Sequence, residues 1–179
     1  MTETNLDELK YPIGKFEYEG ELTEELKNKY IHDFEVAPSL LRNSVKGLTE
    51  EQLDTPYRPG GWTVKQVVHH LPDSHLNSYV RFKLALTEDN PAVKPYNENL
   101  WAQLADSINT PVSVSLDLFD SLHKRFVTLL KSMTLEDFSK TFLHPKNGSV
   151  SLGRTLGIYA WHGKHHIAHI SSLRKRMGW

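Results

Sequence analysis

Apolar residues recur at helical spacing in four long stretches of the chain. The first carries Leu26, Tyr30, Phe34, Leu41, Val45 and Leu48. Thr23 precedes it as an N-cap, with Glu24 and Glu25 in the first turn, where the helix dipole favours anions. Pro38 interrupts this helix and should kink it, and Gly47 can end it. Thr49-Glu50-Glu51-Gln52 is a capping-box pattern for a short turn ending near Leu53. After the loop DTPYRPGG, a second helix starts at Thr63, with Gln66 completing a capping box. It runs through VVHHLPDSHLNSYVRFKLAL to about Leu86 and should bend at Pro72.

Residues 87–96 (TEDNPAVKPY) read as a loop, and residues 97–106 as a shorter helix carrying Leu100, Trp101 and Leu104. The third long helix spans roughly residues 113–132, with Leu118, Phe119, Leu122, Phe126, Leu129, Leu130 and Met133 as its apolar stripe. Thr134 opens a short turn through Phe138. Residues 141–151 contain Asn147-Gly148, a tight-turn signal for a small hairpin or a plain loop. The last helix runs from about Leu152 to Met177. Residues 1–20 lack a helical repeat and are expected to form an arm laid over the domain or a partner, leaving 21–179 as a single domain. The pattern predicts an all-α four-helix bundle with short extra helices.

Composition narrows the function classes. The hydrophobic share of 39% and charged share of 24% are those of an ordinary globular domain. A net charge of −1 offers no basis for a nucleic-acid or membrane-surface partner, and the run Arg174-Lys175-Arg176 suits a helix C-terminus. No cysteine is present, which excludes disulfides, thiolate zinc sites and a cysteine nucleophile. The polar start MTETNLDELKYPIG has no signal-peptide core, and no apolar run approaches the ~20 residues of a membrane span. A cytoplasmic protein is expected.

Histidine is the unusual residue, at ten in 179. The segment WHGKHHIAHI holds four of them: His162, His165, His166 and His169. At about 100° per residue, His162, His166 and His169 share the face that carries Ile158, Tyr159 and Leu173, with His165 at its margin. An i,i+4 pair of imidazoles can converge on one ion, although an HxxxH pair alone is common by chance. Three histidines on one core face are a stronger signal, because buried imidazoles need partners. A three-ligand site needs a contribution from elsewhere. His70 borders the apolar arc of the second helix and stacks in a polar row with Ser74, Asn77 and Arg81, with Asp73 beside it. A lined pocket looks like this, and so does a solvated helix face. His69 points away from the arc, and His75 lies within it and packs. His32, His123 and His144 are isolated and read as surface or structural residues.

The stretches GGWTVKQVVHHLPDSHLNSYVRFKLALTE and YAWHGKHHIAHISSLRKRMGW, together with LDTPYRPGGWT, resemble the YfiT-type metal-dependent hydrolases of the DinB-like superfamily. That superfamily's pattern of a histidine in the second helix and an HxxxHxxQ-like run in the last falls on His70, His162 and His166, with His169 at the position often held by Gln. The resemblance implies an up-down-down-up bundle and one divalent metal ion per subunit, zinc or nickel, on those three histidines. It also implies a homodimer. Related members include thiol-S-transferases that use bacillithiol or similar thiols.

The expected function is therefore metal-dependent hydrolysis of a small molecule. The alternatives are metal-dependent thiol transfer and a non-enzymatic, metal-stabilised dimeric bundle. Gly163 stands where H-E-x-x-H enzymes keep their glutamate, so their mechanism is not supported. Candidate acid–base groups are Asp73, His169 and Asn77, in that order. Arg81 suits either an anionic substrate group or a salt bridge. Trp62, Tyr159 and Trp161 read as core or interface aromatics.

Overall fold

The computed structural model describes residues 6–18 and 20–179; the rest of the expected arm, residues 1–5 and 19, lies outside the described residues. The elements in chain order are α1 (Leu6–Lys10), α2 (Glu24–Val45), α3 (Glu50–Leu53), α4 (Val64–Thr87), α5 (Glu98–Trp101), α6 (Ala105–Asn109), α7 (Val112–Ser132), α8 (Leu135–Ser139), β1 (Thr141–His144), β2 (Gly148–Ser151) and α9 (Leu152–Met177). The caps are those the sequence specifies. Thr23 accepts from the Leu26 N–H, and Thr49 and Thr63 form reciprocal capping boxes with Gln52 and Gln66. Gly178 closes α9 in the left-handed conformation that glycine adopts without strain.

Helices α2, α4, α7 and α9 form a four-helix bundle. Across α2 and α7, Glu35 pairs with Lys131 and Arg42 with Asp117, so these two run antiparallel. Across α2 and α9, Asp33 meets Lys164 and Ser44 meets Arg174, so these run parallel. His69 with Ser115 and His75 with His123 make α4 parallel to α7, while Trp62 with His166 and His75 with Tyr159 set α4 antiparallel to α9. The order is up-down-down-up, and the parallel α4–α7 step requires the long crossover that holds α5 and α6. Pro38 and Pro72 both sit inside helices that continue through them.

Two apolar clusters fill the bundle. One gathers Phe34, Phe82, Phe126, Leu130, Leu152 and Leu156; the other gathers Leu41, Val64, Val68, Leu71, Phe119, Ile170 and Leu173. Fully burying one such side chain contributes about 1.5–3 kcal/mol. Between the clusters lies a layer of histidines. His123 illustrates the junction, with its ring 5.2 Å from Phe34 on one side and 4.0 Å from Phe119 on the other.

Four expectations are corrected or sharpened. Leu118 is 48% exposed, because the buried arc of α7 runs through Ser115, Leu116, Phe119, Leu122, His123, Phe126 and Leu130 and is rotated about 40° from the sequence stripe. The single helix expected over 97–106 is two short ones, with Leu100 and Leu104 exposed. The arm contains one helical turn, α1, and lies on its own domain: Trp161 Nε1 donates to the Gly14 carbonyl at 3.3 Å, and Phe16 packs on Trp161. Residues 141–151 are a hairpin, Thr141 facing Ser151 and His144 facing Gly148, whose φ of +69° suits the turn.

Candidate metal centre

His70 on α4 and His162 and His166 on α9 offer ring nitrogens that all lie within 4.8 Å of one another. His70 Nε2 lies 3.2 Å from His162 Nε2. Two nitrogens bound at about 2.0–2.1 Å to one tetrahedral ion would stand about 3.3 Å apart, so this pair has the spacing of a shared ion. His166 Nδ1 is buried without a partner among the described residues. Three imidazoles leave a fourth position open, as in catalytic rather than structural zinc sites. The donor set fits a divalent ion held by His70, His162 and His166.

These rings form the floor of a cavity of about 550 Å³. Trp62 leans over the cluster, its ring 4.7 Å from His70 and 6.2 Å from His166. Tyr57 comes from the 54–61 loop, Tyr96 from the α4–α5 connection and Tyr159 from α9. Lys10, Arg58, Arg81 and Lys146 bring four cations to the lining, against a single carboxylate, that of Glu98. Among the described residues Arg81 forms no ion pair, so the salt-bridge reading for it finds no partner. The mouth of the cavity is positive, while its floor is neutral.

The neutrality comes from burial. Desolvation pushes His70, His123, His165 and His169 down to about 4, and His75, His162 and His166 well below their usual value. An unprotonated imidazole is the form that ligates a metal.

The acid–base candidates separate by position. His169 lines the cavity, outside the three-nitrogen group. Its ring stacks on Tyr57 at 4.0 Å, and its Nε2–H donates to the Lys10 carbonyl at 3.0 Å, so the arm ties this histidine down. Asp73 and Asn77 do not contribute to the lining; Asn77 Nδ2 donates to the Asp73 backbone carbonyl at 2.9 Å. Burial, with Asp106 nearby, raises the Asp73 carboxyl to about 6. Within the row read from the sequence, His70, Ser74 and Arg81 reach the cavity. His69 turns away from it, with Nδ1 2.7 Å from Ser115 Oγ.

Sequence reasoning missed two buried residues behind the cluster. His75 Nε2 lies 3.4 Å from His162 Nδ1, and His75 Nδ1 lies 3.0 Å from His123 Nε2. His123 is thus neither isolated nor at the surface, being 2% exposed. Trp62 and Tyr159, read as core or interface aromatics, both line the cavity. Tyr57 and Arg58 belong to a loop whose Pro and Gly content marked it only as a turn, so nothing in the sequence tied it to the histidines.

Residues 33–170 match the family model described as the DinB superfamily. The chain belongs to the DinB superfamily. Within it, a Bacillus cereus protein named "putative metal-dependent hydrolase" is 58% identical over 174 residues, covering 97% of this chain and all of the relative. A protein with the same description from Oceanobacillus iheyensis is 55% identical, covering 95% of this chain and 98% of the relative. The solved structure of YfiT from Bacillus subtilis, described as a probable metal-dependent hydrolase with an unusual four-helix bundle topology, superimposes with a TM-score of 0.93 at 49% identity. It covers 96% of this chain and 99% of that one. TT2238, a four-helix bundle protein 17% identical with a TM-score of 0.53, shares the fold, covering 79% of this chain and 94% of that one. No described helix of this DinB-superfamily chain is long and apolar enough to cross a membrane.

The buried histidines make stability depend on pH. Each has a folded pKa below its unfolded value of about 6.5, so its contribution is present above that value and is lost as pH falls toward the folded pKa. Asp73, raised rather than lowered, acts in the opposite direction, but it is one group against the eight histidines of α4, α7 and α9, all with lowered values. The metal-free protein should therefore lose thermal stability steeply between about pH 6.5 and pH 4. A Tm unchanged across that window would show that these rings are not buried in neutral form.

Proposed function

We propose that this protein is a hydrolase of small anionic molecules, dependent on one divalent ion bound by His70, His162 and His166. The observation that carries the reading is the convergence of three neutral imidazole nitrogens within 4.8 Å at the floor of a cavity with four cations in its lining. The metal-dependent hydrolase names of relatives at 55–58% identity support it. Imidazole donors suit zinc and nickel. An ion held by three neutral ligands keeps its full charge and supplies Lewis acidity, bringing water toward deprotonation near neutral pH.

The chain's own residues do the remainder. Arg58 and Arg81 hold the substrate's anionic group, with Lys10 and Lys146 adding to the attraction at the mouth. Trp62 and Tyr57 cover the site and limit water around it. Of the acid–base candidates, His169 alone lines the cavity, which supports that role over Asp73 and Asn77. With Nε2–H donated to the Lys10 carbonyl, the lone pair of the neutral ring is on Nδ1, which is buried and without a partner among the described residues.

A second reading, transfer of a low-molecular-weight thiol such as bacillithiol to an electrophile, is favoured by one observation. Gly163 occupies the place of the H-E-x-x-H glutamate, and the one lining carboxylate, Glu98, is on the exposed rim. A thiol activated by Lewis acidity needs no such base. Exposed apolar residues on the outer face of α4 and α7 and on α6 between them, namely Leu76, Val80, Ile108, Val114 and Leu118, support a homodimer. A cytoplasmic location agrees with the lack of cysteine.

Elemental analysis of untagged protein should find one zinc or nickel per chain, and His162→Ala should lose it along with all activity toward a panel of anionic esters and amides. His169→Gln should keep the ion and lower kcat by about 10²-fold or more. Protein that stays metal-free on titration would remove the reading; turnover only with added thiol and electrophile would select the transferase. Sedimentation at several concentrations should give a dimer, and a strict monomer would remove the apolar face as an interface.

A further inference from the structure

We propose that Phe34, His123 and His75 act as a positioning chain that fixes the tautomer and orientation of His162, presenting its Nε2 lone pair to the metal site. The inference rests on the three-histidine reading above. Its geometry is a line of contacts crossing all four long helices. The Phe34 carbonyl on α2 lies 2.7 Å from His123 Nδ1 on α7; His123 Nε2 lies 3.0 Å from His75 Nδ1 on α4; and His75 Nε2 lies 3.4 Å from His162 Nδ1 on α9.

Proton bookkeeping along the line has one solution. A carbonyl only accepts, so His123 Nδ1 carries a hydrogen. A neutral imidazole has one N–H, so His123 Nε2 is an acceptor and His75 Nδ1 must donate to it. By the same step His75 Nε2 accepts from His162 Nδ1–H, which leaves His162 Nε2 unprotonated and facing His70 Nε2. The reverse arrangement would set two acceptors, a carbonyl and a bare ring nitrogen, against each other in a buried position. Burial keeps the rings neutral, as the bookkeeping requires.

Packing locks the rings in place. His75 and His123 are 1% and 2% exposed, and both rings contact Phe34 and Phe119. A ring flip would break both ends of each contact.

The anchor has its origin in the sequence. In α2 the Phe34 carbonyl would normally accept from the N–H of residue 38, four positions on. That residue is Pro38, which has no N–H. The proline frees one carbonyl inside the bundle, and His123 satisfies it. Pro38 thus leaves an acceptor in the core, in addition to any bend it imposes.

The test uses the full-length metal-free protein. In 15N-histidine-labelled wild type, long-range 1H–15N spectra should show His123, His75 and His162 all protonated at Nδ1. Zinc titration against a chromophoric chelator should then show that His123→Phe binds about 10–100-fold more weakly than wild type. The protonation pattern is a readout that a merely structural role would not set, and it keeps the proposal testable if His123→Phe fails to fold. Wild-type zinc affinity in a folded His123→Phe, or an Nε2-protonated His162 in the wild type, would overturn the chain. Failure of wild-type protein itself to bind zinc would overturn the three-histidine reading instead.

Discussion

A layer of imidazoles divides the bundle's apolar core, and every ring nitrogen in it must find a partner or carry the desolvation cost of a buried polar atom. That requirement governs the arrangement around it. His123 reaches the Phe34 carbonyl, His75 bridges to His162, and His69 reaches Ser115. The two apolar clusters on either side supply the stability that lets the layer stay dry. The nitrogens that meet at the cavity floor, on His70, His162 and His166, are the ones a divalent ion would take up.

The cavity inverts the electrostatics of its surroundings. A chain of net charge −1 directs four cationic side chains to one opening and keeps the rings beneath them uncharged. Cations at the rim steer and hold an anionic molecule; neutral rings at the floor keep an ion's charge undiluted. The N-terminal arm takes part in both. Lys10 adds a cation to the lining, and its backbone carbonyl holds His169 in place. The arm is thus a wall of the site as well as a cover for α9.

Much of this is legible in the sequence, for local reasons. Thr23, Thr49 and Thr63 cap helices by contacts within three residues, so their pattern needs no knowledge of the fold. The i,i+4 spacing of His162 and His166 likewise follows from the helix alone, and His70 stands out by its place beside an apolar arc. What escapes depends on where helices meet. Leu118 belongs to the apolar stripe of α7, yet no other described helix covers it. His75 looks like a core residue on its own helix and His123 like an isolated one, and only the parallel register of α4 and α7 brings them within 3.0 Å. Asn77 shares the polar row of α4, but its side chain bonds back to the Asp73 carbonyl. Pro38 announces a distorted helix; the use made of the carbonyl it frees depends on a ring 89 residues away.

The proposed centre is a single ion held by three imidazoles from two helices. X-ray absorption at the metal edge of zinc-loaded protein tests this most directly. Three imidazole nitrogens and one light exchangeable ligand at about 2.0–2.1 Å are expected, falling to two imidazoles in His70→Ala. A shell with carboxylate ligands in place of imidazole, or a spectrum that His70→Ala leaves unchanged, would contradict it.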